Sequence, residues 1–119
     1  MKTQHLLFAG LFFISVQTNA QWSTDLRLTN EPQNSSLSLP TTWCVAAIGN
    51  FVHVVWIDER DGTRQIYYKR SSDAGSSWGS DIRLTNTSFN SYNPSIAVSG
   101  QTVHVAWVCL LYTSDAADE

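Results

Sequence analysis

The sequence predicts an all-β fold, and three observations support this. Its apolar segments are short, rich in β-branched and aromatic residues, and bounded by turn-forming residues, as in FVHVVWI (51–57) and RQIYYKRS (64–71). The dipeptide Asp61-Gly62 between these segments is typical of a two-residue hairpin turn. The third observation is an internal repeat. No helix is expected after residue 20.

The repeat has two parts with different offsets. WSTDLRLTN (22–30) returns as WGSDIRLTN (78–86), 56 residues later. CVAAIGNFVHVVWI (44–57) returns as SIAVSGQTVHVAWV (95–108), 51 residues later. The difference falls in a polar segment around EPQNSSLSLP, where a loop tolerates insertion.

Each repeat unit has room for four short strands. In one unit these are CVAAI, FVHVVWI, RQIYYKRS and WGSDIRLT. Four antiparallel strands in a unit of this length are typical of a propeller blade. The predicted fold class is therefore an incomplete β-propeller, with about one full four-stranded antiparallel blade plus parts of two neighbours.

Residues 1–20 have the layout of a secretory signal peptide. Lys2 precedes an apolar run from Leu6 to Val16, and a polar stretch ends at the small residue Ala20. Eleven apolar residues are too few to span a bilayer as a helix. We expect cleavage after Ala20, export to the cell surface or medium, and no transmembrane segment after cleavage.

At position 109 the repeat breaks. The offset of 51 predicts two acids and a base at 109–111, but the sequence has Cys109, Leu110 and Leu111. The segment CLLYTSDAADE (109–119) also resembles the translation of a sequencing adapter. We interpret it as read-through from library preparation, and residues 21–108 as the N-terminal blades of a truncated propeller.

Composition argues against two classes of protein. The formal net charge is −3, and the basic residues are scattered apart from Lys69-Arg70, so no basic patch indicates a nucleic-acid partner. A disulfide between Cys44 and Cys109 would suit an exported protein, but Cys109 belongs to the segment interpreted as read-through. No disulfide framework is therefore expected.

The stretch SSDAGSSW fits the pattern Ser-x-Asp-x-Gly-x-x-Trp through Ser71, Asp73, Gly75 and Trp78. Here the chain resembles the Asp-box, or bacterial neuraminidase repeat, family of sialidase-like β-propellers, over nearly all of residues 22–108. The resemblance implies that the motif joins the third and fourth strands of a blade, away from any catalytic pocket. Asp and Ser can bond to the turn backbone, Gly permits positive φ, and Trp anchors the loop.

Two acidic sites have an alternative, chemical interpretation. Asp73 could be a catalytic acid or a cation ligand, but it lacks the second carboxylate of glycoside chemistry and the acidic spacing of a calcium loop. The DERD segment, Asp58 to Asp61, could supply paired acid and base groups. A solvated strand end or surface turn with paired charges is favoured there.

Other candidates recur in the repeat, which favours structural roles. His53 and His104 occupy equivalent strand positions, and Arg27 returns as Arg83. The sialidase resemblance implies three substrate-binding arginines, a Tyr/Glu nucleophile pair and an Asp acid/base, contributed by different blades. The Arg-Ile-Pro motif that usually carries the first arginine is absent from this sequence.

Neither Tyr67 nor Tyr68 has an evident glutamate partner. No catalytic, metal or cofactor residue is therefore assigned, and the fragment alone is expected to be inactive. Two function classes remain for the whole protein. One is an exported exo-α-sialidase-like glycoside hydrolase, and the other is a non-catalytic secreted or cell-surface propeller that binds glycans or proteins.

Overall fold

The computed structural model describes residues 24–37 and 42–110, and in these ranges the chain is all-β. The described residues form antiparallel strands without a helix. The strands are β1 (Ser35–Ser36), β2 (Val45–Ile48), β3 (Phe51–Asp58), β4 (Gln65–Ser71), β5 (Ile82–Arg83), β6 (Ser91–Ser99) and β7 (Thr102–Cys109). In this described part of the chain there is no helix long and apolar enough to cross a membrane. The expected signal peptide and residues 111–119 lie outside the described residues.

The first sheet contains a meander of four consecutive strands, β2 to β5, with β1 added beside β3. Ile48 pairs with Phe51, so the β2–β3 turn consists of Gly49 and Asn50. Gly49 has a φ of 56°, which glycine adopts without the steric cost that a side chain would add. The four predicted strands of the unit are thus found in the predicted order.

The β3–β4 hairpin differs from the sequence prediction in its loop. Asp58 pairs with Gln65, so residues 59–64 form the connection instead of the two-residue Asp61-Gly62 turn. Within it the Gly62 amide donates to the Glu59 carbonyl, and the Arg60 amide donates to Asp58 Oδ1. These bonds fold the chain into a longer loop because the Asp58 carboxylate binds the second amide beyond the strand, that of Arg60.

The second sheet is the β6–β7 hairpin, and it repeats β2–β3. With the offset of 51 residues, the bounds of β3 (Phe51–Asp58) coincide with those of β7 (Thr102–Cys109). Gly100 takes the place of Gly49 and has a φ of 57°. β6 begins earlier than β2 and carries a bulge between Tyr92 and Ser95. The sequence repeat is therefore a structural repeat.

The two sheets pack face to face. The cluster between them consists of Cys44, Val55, Ile57 and Ile66 beside or within the first sheet and Ile96 of the second. Val103 and Val105 of β7 also pack against this cluster. Because apolar burial is the main favourable term in folding, this cluster is what holds the hairpin against the meander.

Equivalent residues of the two repeats lie on opposite sides of this interface. Val54 belongs to the apolar cluster on the outer face of the first sheet, while its equivalent, Val105, packs against the inter-sheet cluster. Val55 is buried between the sheets, while its equivalent, Ala106, is exposed. The repeats therefore stack head to tail, so that one face of a repeat covers the opposite face of its predecessor.

The outer face of the first sheet carries Val54, Trp56 and Tyr67, and Leu28 and Trp78 pack over them. Residues 24–30 repeat the β5 region, yet they form no strand. In β5's own unit the Leu84 amide donates to the Ile66 carbonyl. A strand needs such a neighbour for its backbone groups. Among the described residues no strand pairs with residues 24–30, and the Leu28 carbonyl accepts from Lys69 Nζ instead.

Candidate functional site

The four residues of the Asp-box meet in the loop between β4 and β5. Ser71 ends β4 with only 1 % of its surface exposed. Its hydroxyl donates to Asp73 Oδ1 at 2.7 Å and accepts from the Gly75 amide at 2.8 Å. One buried hydroxyl thus joins the strand end to the acid and the glycine of the motif.

The Asp73 carboxylate is occupied by bonds within its own loop. It accepts from the Ser77 hydroxyl at 2.6 Å and from the Ser77 amide at 2.8 Å. These bonds from Ser77, together with that from Ser71, lower the pKa of Asp73 to about 2. The stabilisation from this carboxylate is therefore present above its unfolded pKa of about 3.9 and is lost as the pH falls towards about 2.

The tip of the loop requires positive φ at two consecutive residues. Ala74 has a φ of 56° and Gly75 a φ of 91°. The Trp78 indole Nε1 donates to the Gly75 carbonyl at 3.1 Å, and the Ala74 amide donates to the Asn50 carbonyl at 2.8 Å. The loop is thereby tied both to its own tryptophan and to the β2–β3 turn.

Replacing Ser71 by alanine is expected to destabilise the fold by about 1–3 kcal/mol, because it leaves the Gly75 amide without its acceptor and removes one of the two donors to Asp73 Oδ1. Denaturant unfolding of the full chain measures the change. The exposed neighbour Ser72 gives the matched control, since Ser72→Ala removes a hydroxyl without a bond of this kind. Equal effects of the two substitutions would contradict the role given to Ser71.

A second polar cluster surrounds Asp58, whose side chain is 0 % exposed. Its carboxylate accepts from Arg60 Nε at 2.9 Å and Arg60 Nη2 at 2.7 Å. It also accepts from Trp56 Nε1 and from the Ser35 hydroxyl, each at 2.9 Å. The prediction of a solvated strand end is wrong for Asp58, because strand pairing and these hydrogen-bond donors enclose its carboxylate.

Burial disfavours the charged form of Asp58, but the bonds from Arg60, Trp56 and Ser35 outweigh it and hold the pKa of this carboxyl well below its usual range. In the second repeat Cys109 stands where Asp58 stands in the first. Trp107, the equivalent of Trp56, is 45 % exposed against 3 % for Trp56. The first repeat therefore has both a carboxylate, Asp58, and a buried tryptophan, Trp56. The second repeat has no carboxylate at the equivalent position, and its tryptophan, Trp107, is exposed.

Arg60 links Asp58 to other charges of the same cluster. Its Nη2 lies 3.0 Å from Asp81 Oδ2, and its guanidinium carbon lies 4.3 Å from the centre of the Tyr67 ring. Lys69 Nζ lies 2.7 Å from Asp81 Oδ1. Hydrogen bonds to Asp58 raise the pKa of Arg60, so the guanidinium stays charged between the two carboxylates.

Tyr67, which the sequence gives no glutamate partner, donates its hydroxyl to Asp61. Burial, followed by this bond, raises the pKa of Tyr67 to about 12. Arg83 lies 3.1 Å from the same aspartate and donates to the Thr85 carbonyl. Its repeat partner Arg27 is exposed in the segment before β1, so the two equivalent arginines have different surroundings.

The repeated histidines have different surroundings. His53 is buried, and its Nδ1 lies 2.8 Å from the Tyr68 hydroxyl oxygen. Burial and the nearby charge of Arg70 lower the pKa of His53, so the ring is neutral near pH 7. His104 is exposed on the outer face of β7. The packing interpretation therefore holds for His53 alone.

Metal ligation has no candidate among residues 24–37 and 42–110, where no three His, Cys, Asp or Glu side chains converge. Cys44 and Cys109 are both free thiols. Cys44 lies in the inter-sheet cluster and donates to the Pro94 carbonyl at 3.6 Å. The buried thiol thus serves the packing of the two sheets.

Sequence reasoning missed a cleft of about 540 Å³ at the end of β4. The segment that returns from the Asp-box forms its other wall. The cleft is lined by Tyr68, Arg70, Ser72, Ser77, Trp78, Gly79, Ser80 and Ile82. The adjacent bases Lys69 and Arg70 were the available signal, because neighbouring strand residues face opposite sides of a sheet and Asp81 pairs with Lys69 and not with Arg70.

Comparison of the chain with protein-family models, with curated proteins and with solved structures gives no match. The assignment of function therefore depends on the residues and their geometry.

Proposed function

We propose that residues 44–86 form one blade of an Asp-box β-propeller, in an exported protein that binds glycans or cell-surface proteins. The observation that carries this proposal is the position of the Asp-box. It occupies the connection between β4 and β5, the third and fourth strands of the meander β2 to β5. Head-to-tail stacking of the next repeat on this sheet supports the same architecture, since propeller blades succeed one another in this way.

Binding is favoured over catalysis because the candidate catalytic groups have structural partners. Asp58 is neutralised by Arg60, and Asp73 is bonded to Ser71 and Ser77. Tyr67, whose pKa is about 12, is hydrogen-bonded to Asp61. A general acid or nucleophile has to exchange its proton with a substrate. Asp58, Asp73 and Tyr67 are instead bonded to other residues of the protein.

The second candidate is a glycoside hydrolase of the exo-α-sialidase type. The Ser-x-Asp-x-Gly-x-x-Trp pattern of Ser71 to Trp78 favours it through the family resemblance. In that case the reacting groups come from blades other than the one formed by residues 44–86. Export is part of both proposals and is based on the signal-like layout of residues 1–20.

One experiment separates the two functions. The full chain is incubated with a fluorogenic sialoside and, in parallel, applied to an array of neutral and acidic glycans. We expect retention of glycans without release of the fluorophore. Release of the fluorophore by the full chain, undiminished in Tyr67→Phe, would contradict the binding role and favour a hydrolase whose reacting groups lie outside the blade of residues 44–86.

A further inference from the structure

One strand pair is formed in the same way in both repeats. Ser35 of β1 pairs with Asp58 of β3. Ser91 of β6 pairs with Cys109 of β7. Ser91 follows Ser35 by 56 residues and Cys109 follows Asp58 by 51, which are the two offsets of the sequence repeat. The start of β6 is therefore the equivalent of β1, and position 109 is the equivalent of position 58.

The backbone beside the two pairs is also alike. Next to the first pair, the Glu59 amide donates to the Asn34 carbonyl at 3.1 Å. Next to the second, the Leu110 amide donates to the Asn90 carbonyl at 3.2 Å. Residues directly opposite each other in an antiparallel pair have their side chains on the same face and close together. The side chain at 109 is thus placed towards Ser91 as the side chain at 58 is placed towards Ser35.

The side chains of the two pairs differ in their hydrogen bonds. In the first pair the Ser35 hydroxyl donates to Asp58 Oδ2 at 2.9 Å. In the second pair Ser91 is 0 % exposed, and its hydroxyl has no hydrogen-bond partner among the described residues. Most buried polar side-chain atoms in proteins have a partner, and a buried group without one lowers stability. The second repeat therefore contains a buried donor and lacks the acceptor that the first repeat provides.

The missing acceptor is a property of position 109 and not of an uncovered surface. The Ser91 hydroxyl oxygen is already closed off from solvent, so a further segment packed on the outside could not reach it without displacing what covers it. The residue in register with Ser91 is Cys109. Its thiol is a weak acceptor, and its sulfur lies 4.0 Å from the hydroxyl oxygen of Thr87.

We propose that position 109 is built to hold a carboxylate, and that an aspartate there accepts the Ser91 hydroxyl as Asp58 accepts that of Ser35. The offset of 51 predicts an acid at this position, and Ser91 is the partner that the structure holds for it. Trp107 stands where Trp56, the second donor to Asp58, stands in the first repeat. The serine and aspartate then form a lock that recurs in each repeat and fastens the strand segment before the central hairpin to the strand opposite.

The test restores the acid in the full chain. Cys109→Asp is expected to lower the equilibrium constant for urea unfolding at pH 7 about tenfold relative to Cys109→Ala, as a hydrogen bond to a charged group does. A carboxyl that gains donors has a lowered pKa, so this gain is expected above its unfolded pKa of about 3.9 and is lost as the pH falls below that value. Leu110→Asp, the control, adds the same charge at an exposed neighbour and is expected to change the constant less than about twofold.

A double-mutant cycle assigns the gain to Ser91. Ser91→Ala is expected to abolish most of the gain in the Cys109→Asp background and to cost little in the parent chain, where the hydroxyl has no partner. A Cys109→Asp variant no more stable than Leu110→Asp, or a gain that Ser91→Ala leaves unaltered, would overturn the inference. The inference adds to the proposed blade architecture. The glycan array tests the binding function separately, because the substituted positions lie outside residues 44–86.

Discussion

Asp58→Ala is expected to lower the free energy of unfolding by about 3–5 kcal/mol, the cost of breaking a buried ion pair by removing one partner. The carboxylate is fully buried and accepts bonds from Arg60, Trp56 and Ser35. Its removal leaves Arg60 Nε and the Trp56 indole N–H without their acceptor, although Arg60 Nη2 keeps its pair with Asp81. Denaturant unfolding of the full chain, followed by tryptophan fluorescence, measures the change.

The adjacent residue Glu59 provides the control for Asp58. Its pair with Arg64 lies on the surface of the loop, and water replaces such partners at little cost. Glu59→Ala is therefore expected to have a much smaller effect than Asp58→Ala. If the two substitutions destabilised the protein equally, Asp58 would not be the buried centre of the charge cluster.

The second large effect is expected at the contact between the two sheets. Ile96 of β6 is 5 % exposed and packs against the cluster that contains Val55 and Ile66. Ile96→Ala removes buried methyl groups and leaves a cavity, which costs about 2–5 kcal/mol. The loss of stability is measured by the same unfolding experiment.

Ile82 of β5 is the matched control for this substitution. It is 52 % exposed, so the same change of side chain removes little buried surface. We expect Ile82→Ala to lower stability by less than about 1 kcal/mol. An Ile96→Ala variant as stable as the parent chain would mean that the β6–β7 hairpin does not depend on the first sheet.

The strands and their order could be predicted from the sequence because alternation and turn residues are local signals. FVHVVWI and RQIYYKRS became the central strands β3 and β4. The β3–β4 loop was predicted incorrectly because its length depends on the Asp58 carboxylate, which captures the Arg60 amide. The dipeptide Asp61-Gly62 gives no information about this bond, because the Asp58 side chain that forms it lies outside the dipeptide.

The three polar sites of the structure, at the Ser71–Trp78 motif, at Asp58 and at Arg70, could be predicted from the sequence to different degrees. The Ser-x-Asp-x-Gly-x-x-Trp pattern was visible in the sequence because its four residues are close along the chain, and they bond to one another in the structure. The burial of Asp58 could not, since it depends on Ser35, which is distant in sequence. The Arg70 cleft was missed for a related reason: it follows from Lys69, and not Arg70, pairing with Asp81.

The head-to-tail stacking of two repeats is the basis of the proposed architecture, and methyl NOE spectroscopy tests it most directly. On the full chain labelled at Ile and Val methyl groups, cross peaks are expected between Ile96, Val103 or Val105 of the second sheet and Val55, Ile57 or Ile66 of the first. Cross peaks confined to each sheet, with none between these two sets of methyl groups, would contradict the stacking.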